Sequence, residues 1–149
     1  MTEVLFYHLE RRPLESTLPG LLQRSLERGW RVVVKVGSDE RLEALNAHLW
    51  SYDDASFLPH GAGADGHSEA QPVFLTTGDD NPNGANVRFL VDGAEAADFS
   101  GYDRIVFMFD ATDEAALTRA RAAWKAAREA QTDATYWRED ENGRWAKQA

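Results

Sequence analysis

Strand-like and helix-like runs alternate through the first fifty residues, and this alternation restricts the chain to an α/β layout. Glu3–Leu9 (EVLFYHL) is rich in β-formers and ends beside Arg11, Arg12 and Pro13. From Leu14 the apolar residues Leu18, Leu21, Leu22 and Leu26 recur at helical spacing, and Gly29 is a natural stop. Arg31–Val36 (RVVVKV) reads as a second strand, followed by Gly37 and by Ser38 as a helix N-cap. Leu42, Leu45 and Leu49 then share one face of a helix running to about Trp50. Strand, helix, strand, helix in this order predicts a mainly parallel sheet covered by helices, a single three-layer, Rossmann-like domain over residues 1–149.

Past Ser51 the pattern breaks. Phe57-Leu58-Pro59-His60 is a short apolar patch, and GAGADGHSEAQ after it is a loop by composition. Strand character returns at 72–77 (PVFLTT) and 87–91 (VRFLV), with the polar turn GDDNPNGAN between them. Arg104–Phe109 (RIVFMF) is the most apolar run and is therefore expected at the centre of the sheet. Asp113 opens a long Ala- and Arg-rich helix to about Ala130, and Thr135-Tyr136-Trp137 reads as the last strand before a turn at 141–143.

Charge narrows the function classes. The net formal charge is −9, and it is unevenly spread. Residues 1–38 carry four acids and six bases, residues 39–114 carry 16 acids and three bases, and residues 115–149 carry five acids and seven bases. An acidic middle of net −13 argues against direct binding of duplex nucleic acid. Absence of cysteine excludes disulfides, thiolate zinc sites and a cysteine nucleophile. With no apolar run long enough to span a bilayer and no signal-like N-terminus, a cytoplasmic location is expected.

Catalytic motifs are scarce. Gly61, Gly63 and Gly66 spell G-x-G-x-x-G, but the helix whose N-terminus would hold a pyrophosphate does not follow. Asp110 ends the apolar strand as a metal-holding carboxylate could, yet without a phosphate loop it reads as a strand-end or capping residue. The four histidines lack metal-site spacing, and no nucleophile elbow is present, so no metal or cofactor is expected. A nucleotide-binding enzyme of similar architecture is the competing reading, supported only by Asp110 and the glycine loop.

The last helix carries more information. At about 100° per residue, Ala116, Ala120, Ala123, Ala127 and Ala130 share one sector, smooth enough for close approach to a sheet. Leu117, Arg121, Trp124 and Arg128 line a neighbouring stripe, bordered by Lys125. Two readings stand: a core tryptophan with a solvated arginine rim, or a pocket for a peptide both acidic and apolar. In the second, arginine forks onto a carboxylate while Trp124 packs an apolar side chain, and Trp137 extends the surface if its strand is adjacent. Trp50 with Phe57, Leu58, Pro59 and His60 is a second patch, either tucked into the core or open to a partner.

Phe6-Tyr7-His8-Leu9, Leu49-Trp50, Ser56-Phe57-Leu58-Pro59-His60, Pro72-Val73, Arg121-x-x-Trp124-Lys125 and Thr135-x-Trp137 occur in the order of the chi subunit of bacterial DNA polymerase III. The chain resembles that family over nearly its whole length. The resemblance implies a non-catalytic accessory subunit with a nucleotide-binding-like fold that has lost its nucleotide. It also implies two partners: the acidic, phenylalanine-ended tail of single-stranded DNA-binding protein, and the psi subunit or another clamp-loader subunit. By motif the tail site maps onto Arg121, Trp124, Lys125 and Arg128 with Trp137, and the psi-facing patch onto Trp50, Phe57, Pro59 and His60.

Overall fold

A computed structural model describes residues 2–51, 60–62, 68–95 and 99–149. Its strands are β1 (Glu3–Leu9), β2 (Val32–Val36), β3 (His60–Ala62), β4 (Val73–Thr76), β5 (Val87–Val91), β6 (Arg104–Asp110), β7 (Asp133–Glu139) and β8 (Trp145–Lys147). Its helices are α1 (Leu14–Glu27), α2 (Asp39–Ser51) and α3 (Glu114–Glu129). The strands form one sheet in the order β3-β4-β2-β5-β6-β1-β7-β8. Every pairing is parallel except β7 with β8. This is the α/β architecture expected from the strand–helix alternation.

Period-two alternation sorts each strand's side chains between two cores. Val32, Val34, Val36, Val87, Phe89, Val106 and Met108 face one side, where they meet Leu14, Leu18 and Leu22 of α1 and Leu45 and Leu49 of α2. Val4, Phe6, Ile105, Phe107 and Phe109 face the other, against Ala120 and Ala127 of α3. Three layers result, with α1 and α2 on one face and α3 on the other. Burying each large apolar side chain contributes about 1.5–3 kcal/mol, so β1 and β6, which feed both cores, hold the layers together. The apolar run RIVFMF is central, with β5 and β1 as neighbours.

Two local devices set the helices. The Ser38 hydroxyl accepts from the Arg41 N–H at 3.2 Å at the start of α2. Asp113 caps α3, accepting from the N–H of Ala115 at 3.0 Å and of Ala116 at 3.5 Å. Gly29 closes α1 at φ +81°, where a side chain would be strained. Gly37 is a different case: a Cβ there would strike the Asp92 carbonyl, so the turn after β2 packs directly onto the end of β5.

Two expectations are corrected. Gly61 and Ala62, at the start of the segment read as a loop, belong with His60 to an edge strand beside β4, and Ser68–Ala70 form a single 3-10 turn. The strand around Thr135–Trp137 is not the last, because Trp145–Lys147 add antiparallel to its outer edge. Both strands have three residues, and an open edge beside them, rather than their own composition, makes them strands. Among the described residues, no helix is long and apolar enough to cross a membrane.

Candidate functional site

α3 lies across the sheet on its alanine face: Ala120 and Ala127 are buried, while Arg121 and Arg128 are exposed. Trp124 sits between these two zones, half-buried. Its ring meets Phe6 of β1 edge-on at 5.3 Å and Tyr136 of β7 at 5.8 Å with an interplanar angle of 87°. The core reading of this tryptophan therefore holds in part, since its inner edge packs on Phe6 and Tyr136. Its outer part carries the Arg128 guanidinium, 5.6 Å from the ring centroid. Such a cation–π contact is worth about 0.5–1 kcal/mol at an exposed site, enough to bias the guanidinium toward the ring. Neither Arg121 nor Arg128 is paired with a carboxylate among the described residues. Lys125 stands off the stripe, 79% exposed and 4.0 Å from Glu129 one turn on.

Tyr136 is the residue that sequence reasoning missed. It pairs in register with Phe6 and so shares the α3 face of the sheet. Its hydroxyl lies 2.6 Å from Nδ1 of His8, while Nε2 of His8 lies 3.5 Å from Glu10. Glu10 in turn accepts from Arg138 at 2.7 and 3.1 Å. Burial pushes the His8 pKa below its ordinary value, against the opposing pull of Glu10. With His8 neutral and its proton on Nε2, Nδ1 accepts a hydrogen bond from the Tyr136 hydroxyl while the Nε2–H faces Glu10. Burial also raises the Tyr136 pKa, opposed by Arg138 and Arg121, so its hydroxyl stays protonated. The outcome is a ledge of Trp124 and Tyr136, with the guanidiniums of Arg121 and Arg128 beside it, neither ion-paired among the described residues.

Trp137 is not part of this ledge. It pairs in register with Tyr7 and stacks on it at 6.4 Å, on the α1 face of the sheet. Consecutive strand residues point to opposite faces, so Tyr136 and Trp137 cannot both flank α3. The condition set for Trp137 is met, since β7 lies beside β1 under α3, but its side chain points to the opposite face.

In the second patch, Trp50 is 55% exposed at the end of α2. The His60 ring lies against it at 4.4 Å, tilted by 42°, but is itself 2% exposed, with Nε2 placed 3.2 Å from the Asn46 carbonyl. His60 therefore supports Trp50 and offers almost no surface of its own. Phe57 and Pro59 lie outside the described residues. Trp50 belongs to the α1–α2 face and the β3 edge, whereas α3 covers the opposite face near β1 and β7. Five strand positions separate β3 from β1, about 24 Å at the usual spacing.

The nucleotide reading meets a crevice whose lining carries more carboxylates than guanidiniums. Adjacent strands β1 and β6 lead into helices on opposite faces, which opens a cleft of about 580 Å³ at their C-terminal ends, where α/β folds commonly bind ligands. Its lining contains five carboxylates, Glu10, Glu15, Asp92, Asp110 and Asp113, against four guanidiniums. Arg12 is engaged by Glu139 at 3.0 Å, and Arg41 by Glu15 at 2.6 Å and Asp92 at 3.3 Å. Asp110 accepts from the Thr112 N–H at 2.9 Å and hydroxyl at 2.6 Å, a capping role. Gly61, meanwhile, lies in edge strand β3, four strands from β6, while Gly63 and Gly66 fall outside the described residues.

The sequence matches the family model described as DNA polymerase III chi subunit, HolC, over residues 1–135. The chain belongs to this chi family. The match runs from β1 through α3 into the start of β7, so it includes Arg121, Trp124 and Arg128. A probable DNA polymerase III subunit chi from Rickettsia prowazekii (strain Madrid E) is 26% identical over 97 residues, which is 65% of this chain. The match spans 59% of that relative's length.

Proposed function

We propose that this chi-family chain is a non-catalytic adaptor of the replisome that ties the clamp-loader assembly to DNA coated with single-stranded DNA-binding protein. One observation carries the reading: a half-buried Trp124, backed by Phe6 and Tyr136, stands beside two guanidiniums with no carboxylate partner among the described residues. An acidic tail with an apolar end matches both components. Arg121 and Arg128 would hold the terminal carboxylate and neighbouring aspartates, while the Trp124–Tyr136 ledge takes the last apolar side chains. Lys125, at the border, would add long-range attraction. The contact is small, so its own affinity is expected on the order of micromolar and weakened by salt.

The clamp-loader side, through a psi subunit or another subunit, is assigned to the patch around Trp50, with Phe57 and Pro59 included on sequence grounds and His60 as its support. Its support is the exposure of a large aromatic there and the separation of about 24 Å from the α3 ledge along the sheet. Two weak contacts on distant surfaces suit an adaptor, because linkage within one assembly multiplies them. Titration of an acidic, phenylalanine-ended tail peptide into wild type and Arg128→Ala tests the site. The variant is expected to bind about tenfold more weakly, the scale of one lost charge-assisted contact. Superimposable curves would remove the assignment.

A further inference from the structure

A small pocket on the α1 face, remote from both surfaces above, has its own charge and shape. It lies between the C-terminal half of α1 and strands β1, β5 and β6, and encloses about 110 Å³. Its rim is Tyr7, Arg24, Arg28, Trp30 and Arg104, and its floor includes Phe89 and Val106. The guanidiniums of Arg28 and Arg104 stand 5.1 and 4.8 Å from the centroid of the Trp30 ring. Arg104 also pairs with Glu3 at 2.8 Å. Neither Arg24 nor Arg28 has a carboxylate partner among the described residues. Three guanidiniums against Glu3 leave a local surplus of two positive charges in a chain whose net charge is −9.

The size selects the occupant. At about 30 Å³ per water the pocket has room for roughly four waters, far below the ~300–1,000 Å³ of sites that enclose small molecules. One aliphatic or aromatic side chain fits, and a nucleotide does not. Guanidiniums already lie against the Trp30 ring, so it is not a free platform for stacking successive bases. A surplus of two charges likewise suits a segment with a few carboxylates better than a long phosphate backbone.

We infer that this pocket is a second protein-docking site: an acidic segment of a partner seats one apolar side chain over Phe89 and Val106 and pairs its carboxylates with Arg24 and Arg28. The site is independent of the α3 ledge, since the two lie on opposite faces of the sheet. The partner's recognition element is an internal acidic stretch around one apolar residue; no chain terminus is required.

The test uses the full ¹⁵N-labelled chain and follows the indole N–H signal of Trp30, assigned with Trp30→Phe. The probe is an N-acetylated, C-amidated pentapeptide of four acidic residues around a central leucine, with an oligothymidylate of similar charge in parallel. The Trp30 signal is expected to shift saturably with the peptide while that of Trp124 follows only the α3 ledge. Arg28→Glu is expected to weaken the peptide about tenfold while the chain stays folded, with a melting temperature lowered by no more than a few degrees for the lost contact with Trp30. Arg24→Glu, also exposed, serves as the second variant. A Trp30 signal that stays fixed, or that moves with the oligothymidylate and not with the peptide, would overturn the inference. So would wild-type affinity in both charge-reversal variants.

Discussion

Trp124 of α3 meets Tyr136 of β7 edge-on at 5.8 Å, and the phenol hydroxyl continues to Nδ1 of His8 at 2.6 Å. A helix, an outer strand and the central strand β1 are thus joined through three side chains at the one place where α3 offers an aromatic to solvent. The same contacts that stabilise the fold shape the proposed binding ledge, so variants must separate stability from recognition.

Trp124→Ala removes ring contacts with both Phe6 and Tyr136. Full truncation of a buried aromatic costs about 3–5 kcal/mol, and a half-buried one about half of that. Urea denaturation is expected to show a loss of roughly 2 kcal/mol for Trp124→Ala, whereas Arg128→Ala stays within about 0.5 kcal/mol of wild type. Binding tests should therefore rest on the arginines.

The Glu139 carboxylate is buried and held by Arg12 at 3.0 and 3.3 Å. Removing Arg12 strands a charge that has already lost its water. Arg12→Ala is expected to destabilise by about 2–3 kcal/mol, below the 3–5 kcal/mol of a fully buried pair because the arginine is half-exposed. Glu139→Gln is expected to recover part of that loss in the Arg12→Ala background, measured as a double-mutant cycle.

His8 gives the fold a dependence on pH with a definite sign. Burial holds its folded pKa below the ordinary 6.5, so between these two values the unfolded chain binds the proton and the folded chain does not. The associated stability is complete above pH 6.5 and declines as pH falls through that value toward the depressed folded pKa. Lowering pH from 7.5 to 5.5 is expected to reduce the unfolding free energy, and His8→Gln to flatten that slope. An identical slope in the variant would assign the effect elsewhere.

How much of this was legible beforehand depends on what sets each element. Helix and strand periodicity up to Trp50, the central place of RIVFMF and the start of the last helix at Asp113 were readable because each is encoded by its own residues. The face of Trp137 was not, since parity on β7 is decided by the register with β1, Phe6 opposite Tyr136 and Tyr7 opposite Trp137. Strands β3 and β8 were invisible for a related reason: their three-residue runs acquire strand geometry from the open edges of β4 and β7. The alanine sector and the Arg121–Trp124–Arg128 stripe were visible as a pattern. That Trp124 would be shared between core and surface required Phe6 and Tyr136, which are distant in sequence.

Gly37 tests a contact that no motif signals. A Cβ at this position would meet the backbone carbonyl of Asp92, which has no flexible tip to yield. Gly37→Ala is expected to cost about 2 kcal/mol or more through displacement of backbone. Gly20→Ala, in the open on α1, is expected to be neutral or stabilising by up to about 1 kcal/mol. Parallel melting curves of the two variants check the contrast.

The acidic tail is expected to land on the α3–β7 ledge. Titrating the phenylalanine-ended tail peptide into ¹⁵N-labelled protein, with the five tryptophan indole signals followed together, tests it directly. The Trp124 signal is predicted to move and saturate, losing its response in Arg121→Ala/Arg128→Ala, while Trp50 on the other patch and Trp137 on the opposite face stay in place. Saturable movement of Trp50 or Trp137 with Trp124 unmoved would contradict the assignment.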